Sequence, residues 1–442
     1  SSAVSARALT CPFFREPYRL VAVMIVLGFL LVFCWLPVGH PVPTPVAVEA
    51  AYKERLTTKI KKAQSAAADH LASILGVRGS GKSFPDAFRL YELDLRKGGG
   101  QGQWTENCNV DASSKSDSVA FCAIRKLLAL MALCEVPDAV ERHREGIAAL
   151  LALLTRERER LVPGLHVKLS RMPGGGDAWM HELTPGSGRF DVLPALHAAG
   201  MLASVRCGSA LGLKDVLSEV ESWFVAMQRI YSHETWEKQS FHTNAILLES
   251  FVIIAADIRK GSSFAEDIRD FIADFQSWLQ AEFEKNKKSW SFSGAHAYVL
   301  AHAAEKKKSR RKRLIKTINE YTQRWGAIWP ALNVSSSSTC GPLQGVAPLA
   351  TMPGHGADVL VTQVLKLMEK DIDLFQVRKG TDAGGLEASV LEAHGELLEG
   401  AFAPDAQRLK LERRASLRID DTAQCVVALT RVLRLLDGLA GV

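Results

Sequence analysis

The sequence predicts an all-α protein, an (α/α) toroid of paired antiparallel helices with one N-terminal transmembrane helix. Three observations lead there. About a dozen segments repeat apolar residues at three- and four-residue spacing, as helices with one buried stripe do. The run 20–36, LVAVMIVLGFLLVFCWL, carries no charge and has the length of a bilayer crossing. Strand patterns are scarce, and only LHVKL at 165–169, ahead of the turn-prone MPGGGD, reads as one.

Residues 1–19 form an N-terminal tail. Its start, SSAVSARALT, bears Ser, Ala and Arg without acids, like the end of an organelle transit peptide. That points to the mitochondrial inner membrane, with the secretory pathway (Golgi) or a thylakoid membrane as alternatives. The transmembrane helix is expected over 20–36, with Tyr18 and Trp35 at its boundaries, where amphipathic rings prefer to sit. A secretory signal peptide is the competing reading, although its apolar core is usually shorter. Arg7, Arg15 and Arg19 precede the span, and the first basic residue after it is Lys53. The positive-inside rule then leaves the tail in the matrix or cytosol and the large domain across the membrane. Pro37, Pro41, Pro43 and Pro45 give a stiff stem over 37–50.

The toroid domain is expected to occupy 51–442. Helical periodicity marks 48–75, 119–135, 138–161, 191–206, 212–231, 241–260, 264–285, 294–303, 310–328, 356–377, 386–400 and 419–438. Asp138 and Asp215 are placed as first-turn or capping acids. Short connections between so many helices imply antiparallel pairs, and no fixed repeat period marks an open array. A closed ring accounts for that count better than a solenoid.

Composition narrows the class further. Apolar residues make up 47% of the 442 and charged residues 23%, which excludes a disordered chain, and the net charge is +6. Eight cysteines show no CxxC pair and no regular spacing, so neither a zinc module nor a disulfide scaffold is expected. Cys11 and Cys34 fall in the tail and span, and most of the six in the domain are expected as buried thiols. Cys122 and Cys134 share one helix about 18 Å apart by its rise, too far to bridge each other.

The run Gly400-Ala401-Phe402, then Arg418-Ile419-Asp420-Asp421-Thr422-Ala423-Gln424-Cys425 and VVALTRVLRLL, resembles the last hairpin of bacterial six-hairpin (α/α)6 toroids, the glycosidase-like superfamily. SFPDAFRLY at 83–91 is similar to a loop of the glycan-binding members. The motifs are degenerate: Cys425 stands where those toroids carry His, and Ala401 where they carry Gly. The resemblance implies the fold, and a pseudoenzyme rather than an inherited activity.

Gly76-Val77-Arg78-Gly79-Ser80-Gly81-Lys82-Ser83 fits the phosphate-loop pattern G-x-x-x-x-G-K-S. In such a loop Gly76 and Gly81 let backbone amides close around phosphates, while Lys82 and Ser83 meet phosphate and magnesium. It needs a strand before it, whereas TTKIKKAQSAAADHLASILG reads as a helix and Phe84-Pro85 follows. A Gly-rich link between helices is expected, and no cofactor. Glycoside chemistry needs one protonated and one ionised carboxylate across a cleft. Asp86, Glu182, Asp191, Glu234 and Asp420 are candidates, with Glu234 in His233-Glu234-Thr235-Trp236 and Asp420 after Arg418 foremost. No metal site is expected, since His296 and His302 are six apart and no H-E-x-x-H occurs. Lys306, Lys307, Lys308, Arg310, Arg311, Lys312 and Arg313 form a basic cluster suited to anionic lipid or an acidic partner, with no nucleic acid expected beside a membrane. Asn333-Val334-Ser335 would be glycosylated only in a secretory compartment.

The expected function is that of an accessory (supernumerary) structural subunit of a large mitochondrial inner-membrane complex of the respiratory chain, with a non-catalytic toroid and other subunits as partners. The alternative is a type II membrane-anchored glycan-processing enzyme (glycosidase, lyase or epimerase) with a lumenal barrel. A nucleotide-binding protein using Lys82 is the third reading.

Overall fold

The computed structural model describes residues 45–78, 91–95, 98–101, 103–106, 117–156, 192–213, 216–228, 247–254, 273, 292–305, 307–328, 340–352, 357–378, 386–403, 416–417 and 419–438. The tail, the span at 20–36, most of the stem, the strand expected at 165–169 and nearly all of the helix expected at 264–285 lie outside them. The chain divides into two compact units, Ser1–Tyr52 and Lys53–Val442. No helix among the described residues is long and apolar enough to cross a membrane.

The described residues are mostly helical, as the periodicity predicts. In chain order they are α1 (Pro45–Ile74), α2 (Asp117–Cys134), α3 (Pro137–Arg156), α4 (Val192–Leu211), α5 (Val216–Gln228), α6 (Phe292–Ala304), α7 (Lys308–Ile328), α8 (Cys340–Ala350), α9 (Ala357–Phe375), α10 (Ala388–Leu398) and α11 (Ile419–Gly438). Residues 247–254 form a further buried helical segment. Local chemistry sets the ends. Pro137 opens α3 with Asp138 in its first turn, where a missing amide and a negative charge are both favoured. Gly76 closes α1 with φ of 70°: its amide bonds Ser73 O, and Val77 N–H reaches back to Ala72 O.

Burial assigns the partners. α2 packs on α3 and α4, and α4 on α3 and α5; α6 packs on α7 and α8; α8 packs on α9 and α11, and α11 on α2. Residues 247–254 connect α4 to α6, since Ser250 Oγ donates to Ala198 O and Glu249 meets His296. Phe251 meets Phe224 of α5 edge to face, and both rings are fully buried with Trp223 and Tyr298. Residue pairs also give directions. Cys340 of α8 joins Cys425 of α11 and Gln344 meets Arg431 further along, so the two helices run the same way. Arg125 with Asp420 and Glu135 with Arg434 align α2 with α11 in the same sense.

Three short strands depart from the sequence reading, which assigned none there. β1 (Tyr91–Asp94) pairs antiparallel with β2 (Gln103–Glu106) and β3 (Ser416–Leu417), in the order β2-β1-β3. Leu93 and Leu417 enter a small core with Val377, Leu386, Val390 and Leu398, so the sheet seals one edge around α10. Next to it, Gly400 to Ala403 run antiparallel to 375–377, with Val377 N–H bonding Ala401 O and Ala403 N–H bonding Phe375 O. Gly400 sits at φ of 87°, and a Cβ there would strike the Ala66 carbonyl of α1. Gly400→Ala is expected to lower stability by about 2–3 kcal/mol, because strain and a backbone clash add. A urea midpoint equal to that of the unaltered chain would refute this packing.

The cysteines require a correction. Buried thiols were expected, yet Cys134 is bonded to Cys207 and Cys340 to Cys425. Packing of α2 on α4 and of α8 on α11 brings the Cα atoms within 5.0 Å and 4.7 Å, inside the range that a disulfide spans. Cys425 is therefore a staple between α8 and α11.

Candidate functional site

Buried charge from several helices converges on one cluster. Glu249 (247–254), His296 (α6) and Arg431 (α11) are each at least nine-tenths buried, on helices that are otherwise apolar along these stretches. Arg431 Nη2 donates to Glu249 Oε1 at 2.6 Å, and His296 Nδ1 lies 2.5 Å from the same oxygen. Arg431 Nη1 donates to the Gln344 carbonyl of α8. Glu135, just past α2, lies 3.5 Å from Arg206 of α4 and 3.9 Å from Arg434 of α11. Among the described residues, the end of α2 together with α4, 247–254, α6, α8 and α11 thus contributes to the cluster.

The electrostatics follow from burial and neighbours. Burial opposes ionisation of Glu249, but Arg431 and then His296 outweigh it and bring its carboxyl down to about 2. Burial first, and then the Arg431 charge, push His296 below the ordinary imidazole value against the pull of Glu249. His296 is then neutral near pH 7, with Nδ1–H donating to an ionised Glu249. A carboxyl so held cannot deliver a proton as a general acid near neutrality. The cluster instead braces α6, α8, α11 and 247–254 against one another.

A second buried imidazole lies apart from it. His70 on α1 has Nδ1 3.0 Å from Leu397 O of α10, and burial brings it down to about 4. A lowered folded value means that the unfolded chain binds the proton first. Its contribution is therefore full above about 6.5 and is lost as pH falls toward 4. Over that window His70 is expected to withdraw roughly 3 kcal/mol, so urea midpoints of a His70→Gln variant should fall less steeply with acid. Parallel pH profiles for variant and parent would contradict this assignment.

The residues singled out from sequence separate into three groups. Asp420 is buried at the start of α11, 3.7 Å from Arg125 of α2, as an interhelical ion pair. Glu234, Asp86, Glu182 and Asp191 lie outside the described residues. Gly76 ends a helix where a phosphate loop needs a strand, and Gly81, Lys82 and Ser83 lie outside the described residues. Lys307, Lys308, Arg310, Arg311, Lys312 and Arg313 are exposed at the start of α7, and Lys306 lies outside. No group of three metal-ligating side chains occurs among the described residues.

The sequence reading missed Glu249, Arg431 and the role of His296. Their signal was present: Glu249 is the one charge in AILLESFVII and Arg431 one of two arginines in VVALTRVLRLL, charges of opposite sign in apolar runs. Such residues must find each other, because an unpaired buried charge is untenable.

No protein-family model matches this chain, and no characterised protein or solved structure is similar to it.

Proposed function

We propose that the chain is a membrane-anchored (α/α) toroid acting as a non-catalytic structural subunit of a large organelle membrane assembly, with the mitochondrial inner membrane and its respiratory chain as the host. Support for the ring comes from the succession of buried neighbours, which starts at α2, passes through α4, 247–254, α6 and α8 to α11, and returns to α2. The shared direction of α8, α11 and α2 suits the inner wall of such a ring, whose outer helices run the other way.

One observation carries the non-catalytic reading. Among the described residues three of the four buried carboxylates, Glu135, Glu249 and Asp420, lie beside arginine, and the fourth, Asp371, lies against Cys340 of the Cys340–Cys425 bond, an arrangement that suits bracing rather than acid catalysis across an open cleft. In that reading the anchor at 20–36 wedges among other membrane helices while the rigid domain packs on a soluble face. The two disulfides favour an oxidising compartment for the domain, which agrees with the charge bias across the span.

The disulfides equally suit a secretory lumen, so the type II glycan-processing enzyme is the second reading. Native-gel fractionation of mildly solubilised membranes with mass spectrometry of each band separates the two. Co-migration with a respiratory or ATP-synthase assembly is the expected result. Migration near its own 48.3 kDa, with a glycan on Asn333 removable by an amidase, would turn the assignment to the lumenal enzyme.

A further inference from the structure

The start of α7 is a strongly basic, acid-free surface among the described residues. Residues 307–313 are exposed at every position, so the first two turns present side chains on all sides of the helix. Six of those seven residues are Lys or Arg, Lys316 extends the series, and Ile315 beside it is 40% exposed. No acid occurs between Lys306 and Asn319, and the nearest preceding one, Glu305, is engaged with the Lys307 amide and Arg310. Only from Leu314 on does a buried stripe appear, with Thr317, Ile318 and Thr322.

Helix stability does not account for this charge. Cations at a helix N-terminus oppose its dipole, each by roughly 0.3–1 kcal/mol, and they repel one another. An anionic partner removes both penalties. Its shape follows from the distribution of charge. A flat bilayer meets one side of a helix, leaving the opposite cations unmatched, whereas an acidic polypeptide can surround the projecting turns. We infer that the first turns of α7 are a docking site for an Asp/Glu-rich segment of another polypeptide, with Ile315 as an apolar contact at the margin. This inference rests on the subunit reading and names the kind of neighbour that the assembly supplies.

The test uses the full chain in its native membranes. A zero-length carbodiimide joins lysine amines to carboxylates in direct salt bridges. Lys307, Lys308, Lys312 and Lys316 are expected to link to Asp or Glu of a different polypeptide within the co-migrating band. Arg311→Glu combined with Arg313→Glu keeps all four lysines and both changes are exposed, so folding is retained. That variant should lose about tenfold in link yield while keeping its thermal midpoint, and added salt should do the same to the parent. Three results overturn the inference. The first is a chain that co-migrates with an assembly but whose lysines link to nothing outside it, which leaves the subunit reading standing. The second is protection of α7 amides by vesicles containing anionic phospholipid without any protein link, which makes the partner a bilayer. The third is migration near its own mass, which removes the subunit reading and the docking together.

Discussion

Arg431→Leu is expected to lower the unfolding free energy by about 3–5 kcal/mol, the largest effect of any single substitution considered. The change removes the guanidinium that holds Glu249 ionised at 2.6 Å and the bond to the Gln344 carbonyl, leaving a carboxylate buried among apolar helices. The destabilisation belongs to the orphaned charge, so Glu249→Leu combined with Arg431→Leu should recover most of it. Acid separates the two cases. Glu249 lies near 2 in the folded chain and at 4.5 unfolded, so its paired contribution is present above 4.5 and is lost as pH falls toward 2. In the single variant the carboxyl no longer has that partner, and its deficit against the parent should narrow over the same window. Guanidinium titrations at neutral and acid pH measure both quantities. A double variant no better than the single one would mean that the cluster is not a closed pair.

The second large effect concerns the staples. Cys340→Ala with Cys425→Ala, or Cys134→Ala with Cys207→Ala, removes a bond closing a loop of 85 or 73 residues. Chain-entropy arguments put the constraint on the unfolded state at about 4.5 kcal/mol for loops of that length, and measured losses run about 2–5 kcal/mol. The same loss should follow when the unaltered chain is melted with a reductant. Alkylation of the denatured but unreduced protein gives the independent check: Cys134, Cys207, Cys340 and Cys425 should stay unlabelled until reduction. Labelling of all four in the unreduced protein would return them to the buried thiols expected from sequence.

What could be read in advance follows from the range of the forces involved. Helices declare themselves within a few turns, so α11 was expected over the residues it occupies and α2, α3, α7 and α9 nearly so. The strands were illegible because YELD and QWTE are only four residues long, and YELD, which pairs with QWTE on one side, takes its other partner from Leu417, over 300 residues distant by the Leu93–Leu417 register. The disulfides failed to register for the same reason: Cys134 was correctly denied Cys122, but nothing local points to Cys207. Asp420 was read beside Arg418 as a carboxylate candidate, whereas its ion-pair partner, Arg125, comes from a helix almost 300 residues earlier. His296 was weighed as a metal ligand and set aside, and its true partner Glu249 lay in 241–260, a stretch read as a helix without a role for its carboxylate.

The position of α11 also governs when this chain can fold. Fourteen of its residues are buried, on every face, because it lies against both α2 and α8. α2 leaves the ribosome, or a translocation pore, about 300 residues before the helix that covers its flank, so that flank is wet throughout synthesis. The cysteine on α8 waits likewise for Cys425, leaving a reactive thiol exposed to wrong partners until the last helix arrives. A nascent chain of this kind needs a holding chaperone and an oxidase acting late. A stop codon before residue 419 should yield an aggregation-prone product rather than a slightly shorter fold.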